Sequence, residues 1–463
     1  MKNELGRIDI LNLYCLFVKR LIRCMNTTTF LIWLRQIFDN RDGATTRRSS
    51  RYALSLHDAL RRVEAEAITS RPRVVAVIKN KQRSCSLLNV STILWWGKGV
   101  ALLLVLGLWA CNPDDKKEEP KPDTGLITGT YAPENYVLSI PKWMPPIPAT
   151  ASNPLTKPGV ALGRMLFYDP ILSRDSTQSC ASCHQQAKGF TDGLATSPGI
   201  RGQNGTRSAM PLVNLAYNTR GFFWDGRSVD LEGQALLPIE DHLEMDDTWD
   251  NVERKLRRHK DYPGQFRQAF GISRKTELTR DLVVKALSQF ERTLISAHSR
   301  YDRVIWAKED FPTDEEQRGL ELFFIEYAGV LAHPGCSHCH FNPLFTDNNY
   351  HNNGLDNVPN LTAFKDLGRG KVTGLQSDNG RFRTPSLRNV ALSAPYMHDG
   401  RFKTLEEVLE NYSRGGHGVA NEDANITSFP LSEQDKSDLI AFLRMLTDTS
   451  FVNNPAFSNP FKR

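Results

Sequence analysis

Two copies of a Cys-x-x-Cys-His motif constrain this 463-residue chain more than any other feature. They read Cys180-Ala-Ser-Cys183-His184 and Cys336-Ser-His-Cys339-His340. This spacing is typical of c-type haem attachment, in which two thiols form thioethers and the following His ligates the iron. Zinc binding and a redox dithiol are the alternatives for a Cys pair. Because both pairs are followed directly by His, the sequence favours two covalently bound c-type haems.

The basic charge of the chain is concentrated near its start. Residues 1–110 hold 18 of the 58 Lys and Arg residues but only 7 of the 52 Asp and Glu residues. The remaining chain is therefore slightly acidic, which removes the main support for a nucleic-acid partner. Residues 1–98 show no clear helix or strand pattern. We predict that they are an extension outside the mature protein, and the alternative is a structured N-terminal domain.

An apolar run at Gly99–Ala110 is followed at once by Cys111. The run is too short for a transmembrane helix but suits the apolar region of a signal peptide. An apolar run followed at once by Cys resembles a bacterial lipoprotein signal, which implies that residues 99–111 are a signal-peptide segment ending in a lipid-bearing Cys111. The alternative is a buried core segment. The charged, Pro-rich residues 112–130 are typical of a tether. These features predict a periplasmic or cell-envelope lipoprotein that meets the membrane through its lipid anchor.

The rest of the chain is predicted to be mostly α. Thr313 and Ser432, each followed by acidic residues, are typical helix starts. The two equivalent motifs indicate two similar domains, residues 131–310 and 311–450, with a tail at 451–463. Apolar residues recur at helical spacing in seven segments: Val160–Tyr168, Val229–Leu237, Trp249–Arg258, Asp281–Ala297, Asp314–Ala328, Leu405–Tyr412 and Glu433–Thr447.

Further motifs lie in a fixed order around the two Cys pairs. Gly189-Phe-Thr-Asp-Gly193 follows the first pair, while Phe382-Arg-Thr-Pro-Ser-Leu-Arg-Asn-Val390 and Ala394-Pro-Tyr-Met-His-Asp-Gly400 follow the second. Over about residues 130–450 this order resembles the bacterial di-haem cytochrome c peroxidase family, whose wider superfamily includes the MauG-type enzymes. The resemblance implies two cytochrome c-like haem domains. It also implies a peroxidatic haem on His184 and an electron-accepting haem on His340.

The resemblance further implies three catalytic residues near the first haem. Trp224 matches a tryptophan between the two haems, and Gln234 matches a glutamine that lines the peroxidatic pocket. Glu244 matches a distal glutamate, which can move a proton from one peroxide oxygen to the other. The alternatives are a core tryptophan at 224 and a solvated surface carboxylate at 244.

The sequence departs from the family pattern at the first haem. Many members carry a distal His in the loop after Gly-Phe-Thr-Asp, but no His lies between His184 and His242 here. We therefore predict an open or water-bound sixth position and a reaction with peroxide that needs no prior reduction. The alternative is ligation by His242.

A second departure concerns the far ligand of the second haem. Electron-accepting members carry Met fourteen residues after the His of Ala-Pro-Tyr-x-His, and here that position is Tyr412. Tyr at this place resembles MauG and implies a lower haem potential than Met gives. The alternatives are a Tyr that only packs on its helix, or ligation by Met397 or Met445.

The resemblance leaves several partners and functions open. It allows a homodimer and a calcium ion between the domains, although Ser208 stands where the usual Asn ligand is expected and Thr384 would supply a backbone oxygen. The favoured function is reduction of hydrogen peroxide to water with electrons from a small donor such as a c-type cytochrome. One alternative is a MauG-like oxidase that modifies side chains of a partner protein, and another is a non-catalytic di-haem electron carrier.

Overall fold

The structure, a computed structural model, describes residue 125 and residues 130–148, 150–324 and 334–462. These residues belong to one compact unit, Lys117–Arg463. The predicted extension 1–98, the segment 99–111 with Cys111, and all of 112–130 except residues 125 and 130 lie outside the described residues. No helix in the described ranges is long and apolar enough to cross a bilayer.

The described chain is mostly helical, which confirms the predicted fold class at that level. A π-helical turn spans Arg303–Ala307. The strands β1 (Tyr350–His351) and β2 (Phe382–Arg383) pair antiparallel, with Tyr350 opposite Arg383 and His351 opposite Phe382. The helices are α1 (Lys157–Tyr168), α2 (Cys180–Cys183), α3 (Leu231–Glu240), α4 (Trp249–Arg258), α5 (Tyr262–Phe270), α6 (Arg280–Glu291), α7 (Arg300–Asp302), α8 (Asp314–Phe324), α9 (Gly370–Thr373), α10 (Leu405–Ser413), α11 (Glu433–Met445) and α12 (Thr449–Val452).

The helix starts follow from local capping. The Ser432 side chain accepts a hydrogen bond from the Asp435 amide, and the Asp435 carboxylate accepts one from the Ser432 amide, at the start of α11. Thr313 and Glu316 exchange the same pair of bonds at α8. Such boxes satisfy amides that have no partner within the helix. Both helix starts predicted from the sequence are therefore confirmed.

Two hydrophobic cores form in succession along the chain. The first is built by α1 and α3–α6 and is closed by Phe451 and Phe457 from the end of the chain. The second is built mainly by α7, α8, α10 and α11, with Phe345 fully buried in its centre. Because Phe451 and Phe457 belong to the first core, the predicted tail 451–463 packs against the first half of the described chain.

The same helix crossing occurs in both cores. In the first, a Cβ on Gly163 of α1 would collide with the Ala286 carbonyl and approach Phe290 Cβ of α6. In the second, a Cβ on Gly319 of α8 would collide with the Asp438 carbonyl of α11 and approach Phe442 Cβ of the same helix. Each glycine lets two helix backbones approach closely. The two halves therefore share one way of packing their first long helix against their last.

Candidate functional site

The first Cys-x-x-Cys-His motif forms a single helical turn. The His184 amide at the end of α2 donates to the Cys180 carbonyl at 2.9 Å, and His184 Nδ1 lies 2.9 Å from the Phe190 carbonyl oxygen. A carbonyl only accepts, so Nδ1 carries the proton and Nε2 keeps its lone pair. Burial lowers the pKa of His184 and favours the neutral ring. This is the state in which imidazole binds a metal.

The second motif repeats this arrangement. The His340 amide donates to the Cys336 carbonyl at 3.0 Å, and His340 Nδ1 lies 3.0 Å from the Phe345 carbonyl oxygen. Burial lowers the pKa of His340 as well. In both histidines a backbone carbonyl at Nδ1 orients the ring, so Nε2 is the nitrogen whose lone pair can bind a metal.

The four motif cysteines fit covalent attachment of haem. Cys180, Cys183, Cys336 and Cys339 form no disulfide, so all four thiols are available. Burial raises the pKa of Cys336 and of Cys339 to about 12, which keeps these thiols protonated and unreactive toward each other. Two thiols and one neutral imidazole per motif are the donor set that a c-type haem requires.

A cavity of about 1680 Å³ opens beside the first motif. His184 lines it together with Trp224, Gln234 and Glu244, so the structure brings the residues predicted around the first haem to one place. Ligand pockets of ordinary size hold roughly 300–1000 Å³. The cavity therefore has room for a macrocycle and a small substrate.

Helix α3 and the turn after it position the two polar side chains of this cavity. The Asp230 side chain caps α3, and Gln234 and Pro238 lie one turn apart on the face that lines the cavity. The chain then folds back, with the Glu244 amide donating to the Asp241 carbonyl at 3.0 Å. Both Gln234 and Glu244 thus project from backbone that is hydrogen-bonded in place.

Glu244 is half-buried, and its pKa is raised to about 7. Burial is the main cause, the negative charge of Asp241 adds to it, and the positive charge of Arg227 opposes it. A carboxyl group with a pKa near neutrality can both accept and return a proton, as a general acid–base catalyst must.

Trp224 is buried in the cavity wall, with 9% of its surface exposed. Its Nε1 donates to the Ser208 carbonyl at 3.0 Å, and its own carbonyl accepts the Arg383 amide of β2 at 2.8 Å. The tryptophan is therefore held between the first half of the chain and a strand of the second half. Burial alone also fits the alternative of a core residue.

The loop expected to carry a distal His is held against the Glu244 turn. The Ile200 amide donates to the Glu244 carbonyl at 3.0 Å, and Arg201 forms an ion pair with Asp246 at 2.5 Å. His242 stands at the cavity mouth with 70% of its side chain exposed, beside Asp241 at 3.7 Å. This exposure favours a surface role for His242 over ligation.

The candidate ligands of the second haem differ in their surroundings. The Tyr412 hydroxyl on α10 accepts a hydrogen bond from Asn353 Nδ2 at 3.1 Å, and the same amide lies 3.7 Å from Met397 Sδ. Burial raises the pKa of Tyr412, and Cys339 and Cys336 are among the groups that act on it. Met445, by contrast, is 2% exposed within the second core. Tyr412 and Met397 thus lie together near the second motif, while Met445 fills the core.

The candidate calcium ligands are engaged within the protein. The Ser208 hydroxyl donates to the Met397 carbonyl at 3.0 Å and its amide donates to the His398 carbonyl at 2.8 Å. The Thr384 carbonyl accepts a hydrogen bond from Thr346 at 2.7 Å. Direct hydrogen bonds therefore join these segments, and calcium stays a prediction of the resemblance.

Two buried charged residues of the cavity were missed by the sequence reasoning. Arg383 is 6% exposed, and its pKa is lowered to about 10 by burial. Glu291 is also 6% exposed, and its Oε2 has no hydrogen-bond partner. Glu291 has a signal in the sequence, because this charged residue lies one helical turn after Leu287 on the apolar face of α6, and both residues line the cavity.

Comparison with known proteins identifies a family model and several relatives. Residues 157–310 match the family model described as di-haem cytochrome c peroxidase. The methylamine utilization protein MauG of Methylorubrum extorquens is 38% identical over 302 residues, 65% of this chain and 81% of the relative. The cytochrome c551 peroxidase of Nitrosomonas europaea is 34% identical over 300 residues, 65% of this chain and 83% of the relative.

Solved structures give the same result. A MauG-like protein associated with microbial copper homeostasis superposes with a TM-score of 0.66 at 34% identity, covering 71% of this chain and all of that one. The di-haem peroxidase BthA of Burkholderia thailandensis superposes with a TM-score of 0.56 at 27% identity, covering 65% of this chain and 88% of that one. With both haem-attachment motifs in place, the chain belongs to the di-haem cytochrome c peroxidase family, which includes the MauG proteins.

Proposed function

We propose that this chain is an exported di-haem c-type peroxidase that reduces hydrogen peroxide to water with electrons from a small donor such as a c-type cytochrome. The observation that carries the proposal is Glu244, a carboxyl with a pKa of about 7 in the cavity that His184 lines. The names of relatives that are cytochrome c peroxidases support the same reaction.

The overall reaction combines one H₂O₂, two electrons and two protons to give two waters. When bound, the haem on His184 supplies the position for peroxide and the electrons that break the O–O bond. Glu244 accepts the proton of one peroxide oxygen and returns it to the other, which leaves as water. The Gln234 amide, which lines the same cavity, can donate a hydrogen bond that orients the peroxide.

Electrons reach this cavity from the second half of the chain in our proposal. His340 holds the accepting haem, and Trp224 stands between the halves, bonded through its carbonyl to the Arg383 amide of β2. The repeated glycine crossing at Gly163 and Gly319 supports two cytochrome c-like haem domains. An aromatic side chain buried in the cavity wall suits electron passage between them.

The test is replacement of Glu244 by Gln in the haem-loaded protein. Gln keeps the shape of the side chain but cannot carry the proton, so peroxide turnover should fall about 10²- to 10⁴-fold. Glu240→Gln is the matched control, because Glu240 is an exposed carboxylate at the end of α3. Unchanged turnover in Glu244→Gln would remove the proposed proton transfer and favour a non-catalytic electron carrier.

A MauG-like oxidase acting on side chains of a partner protein is the second candidate. The specific observation in its favour is Tyr412, a half-buried residue close enough to Cys336 and Cys339 for both to act on its pKa, so that it is a candidate for the far ligand of the second haem. The relatives named MauG support it. Under this candidate, Glu244→Gln would also abolish the reaction with peroxide, but a reduced cytochrome would not be consumed by the parent protein.

Location is a further part of the proposal. The apolar run before Cys111 supports export and a lipid anchor on that cysteine, because a Cys directly after a signal-like apolar run is a lipidation pattern. Cell fractionation of a Cys111→Ala variant tests this. Loss of the protein from the membrane fraction is expected, and an unchanged distribution would contradict the anchor.

A further inference from the structure

Glu291 is a buried carboxyl group that the proposed peroxide chemistry does not use. It ends α6, is 6% exposed, and lines the cavity of the first motif one turn after Leu287. Its Oε2 has no hydrogen-bond partner. An ionised carboxylate in such a place loses its hydration without replacement, which is costly. The geometry therefore requires a carboxyl that is readily protonated.

The charged groups around Glu291 do not compensate a negative charge. The negative charge of Glu232 on α3 adds repulsion, while the Cys180 thiol of α2 is a neutral neighbour. Glu244, which also lines the cavity, acts on the same thiol. The adjacent cation Arg292 directs its guanidinium to the Asn153 and Ser288 carbonyls. Burial and Glu232 together raise the pKa of Glu291 to about 8.

We propose that Glu291 is a redox-linked proton-binding site of the first-haem cavity. When the first haem takes up one electron, the Glu291 carboxylate takes up one proton. When the haem loses the electron, Glu291 releases that proton. The proposal rests on haem attachment at Cys180–His184 and does not depend on peroxide reduction. It adds to Glu244 a second carboxyl with a separate task.

The physical reason is charge compensation across the cavity. An added electron removes one positive charge near Glu291, and the interior screens this change far less than water does. The ionised form of Glu291 then costs more, so its proton affinity rises in the reduced state. By linkage, raising the pH favours the oxidised state over the range in which Glu291 titrates.

The test is a potentiometric titration of the first haem at a series of pH values. In the wild type the midpoint potential should fall as the pH rises around 8. The steepest slope for one proton per electron is a tenfold change in the reduced-to-oxidised ratio per pH unit, which corresponds to about 59 mV. In Glu291→Gln, which stays neutral, the potential should be flat over that range and higher than the wild type at its alkaline end. Glu240→Gln removes an exposed carboxylate and should retain the wild-type slope.

Two results would overturn the proposal. One is a wild-type midpoint potential that does not change with pH around 8, and the other is a wild-type slope that persists in Glu291→Gln.

An infrared measurement keeps the proposal testable if Glu291→Gln fails to take up haem. In the Glu244→Gln protein, the reduced-minus-oxidised difference spectrum should show a protonated carboxyl band that shifts in D₂O, and its absence would also overturn the proposal. Neither measurement uses peroxide, so a failure here is distinct from a failure of the peroxidase function.

Discussion

At the scale of single residues, the two motif histidines are oriented by backbone atoms and not by other side chains. His184 bonds to the Phe190 carbonyl and His340 to the Phe345 carbonyl. Both phenylalanines adopt positive φ angles, 63° and 55°, and both are fully buried. A bulky residue rarely adopts this conformation. Core packing of the two rings therefore holds the carbonyls that aim the histidines.

The pH dependence of peroxide turnover is expected to report Glu244. The carboxylate must be ionised to accept the first proton, and its pKa lies at about 7. The rate should therefore fall as the pH drops through about 7 and level off above it, when initial rates are measured across a pH series. Glu240→Gln should keep this profile, whereas Glu244→Gln should lose the dependence along with most of the rate. A rate that rises on acidification through this range would contradict the role of Glu244 as a base.

Tyr412 is expected to set the properties of the second haem. A phenolate ligand stabilises ferric iron more than a thioether does, so Tyr412→Met should raise the midpoint potential by on the order of 0.1 V or more, within the roughly 0.8 V range that axial ligands span. Tyr412→Phe should change the absorption spectrum of this haem. Met397→Leu is the control, because Met397 shares the Asn353 amide with Tyr412. A spectrum that changes in Met397→Leu but not in Tyr412→Phe would assign the ligand to Met397.

At the scale of elements, the loop at residues 197–205 is expected to leave the first haem accessible. It contains no His, and bonds from Ile200 to Glu244 and from Arg201 to Asp246 hold it against the Glu244 turn. The oxidised haem-loaded protein should therefore show a high-spin component in its absorption and electron paramagnetic resonance spectra. A purely low-spin spectrum would mean that an internal ligand fills the position.

The two glycine crossings are expected to be equally sensitive to substitution. A Cβ at Gly163 or Gly319 would collide with the backbone of the facing helix, so Gly163→Ala and Gly319→Ala should each lower the free energy of unfolding by about 1–3 kcal/mol. Gly264→Ala in α5 is the matched control, since no atom outside the neighbouring residues and backbone of its own helix lies within 4 Å of the added Cβ. Denaturant unfolding of the three variants measures the effect. If Gly163→Ala and Gly319→Ala were as stable as Gly264→Ala, the close approach of the two helix backbones at these glycines would be contradicted.

Most of the longer helices could be predicted from periodicity and capping, but the residues at which they end could not always be predicted. Trp249–Arg258 is observed as predicted, whereas the segment predicted at Asp281–Ala297 ends at Glu291. The cause is a set of tertiary contacts: the side chains of Asn214 and Asp448 accept hydrogen bonds from the backbone amides of residues 296–298. In a longer helix these amides would instead donate to carbonyls of the same helix. Helix α5 was missed, although Pro263 near its start and Gly271 after its end are typical signals.

At the scale of the whole molecule, the first-haem cavity draws its wall from both halves of the chain. His184 and Glu244 come from the first half, while Arg383 and His398 reach the same cavity from the second. The motifs could place the haem-attachment residues because each motif is local in sequence. Arg383 and Glu291 could not be assigned in this way, since only the packing of distant segments brings them to the cavity.

At the same scale, we propose that this family member uses peroxide to oxidise a small electron donor. The most direct measurement adds hydrogen peroxide to the fully oxidised, haem-loaded protein in the presence of a reduced small c-type cytochrome, whose absorbance is followed. We predict rapid, catalytic oxidation of the cytochrome without prior reduction of the enzyme. If peroxide instead produces a long-lived optical change while the cytochrome stays reduced, the protein is not a cytochrome c peroxidase, and an oxidase that modifies a partner protein is favoured.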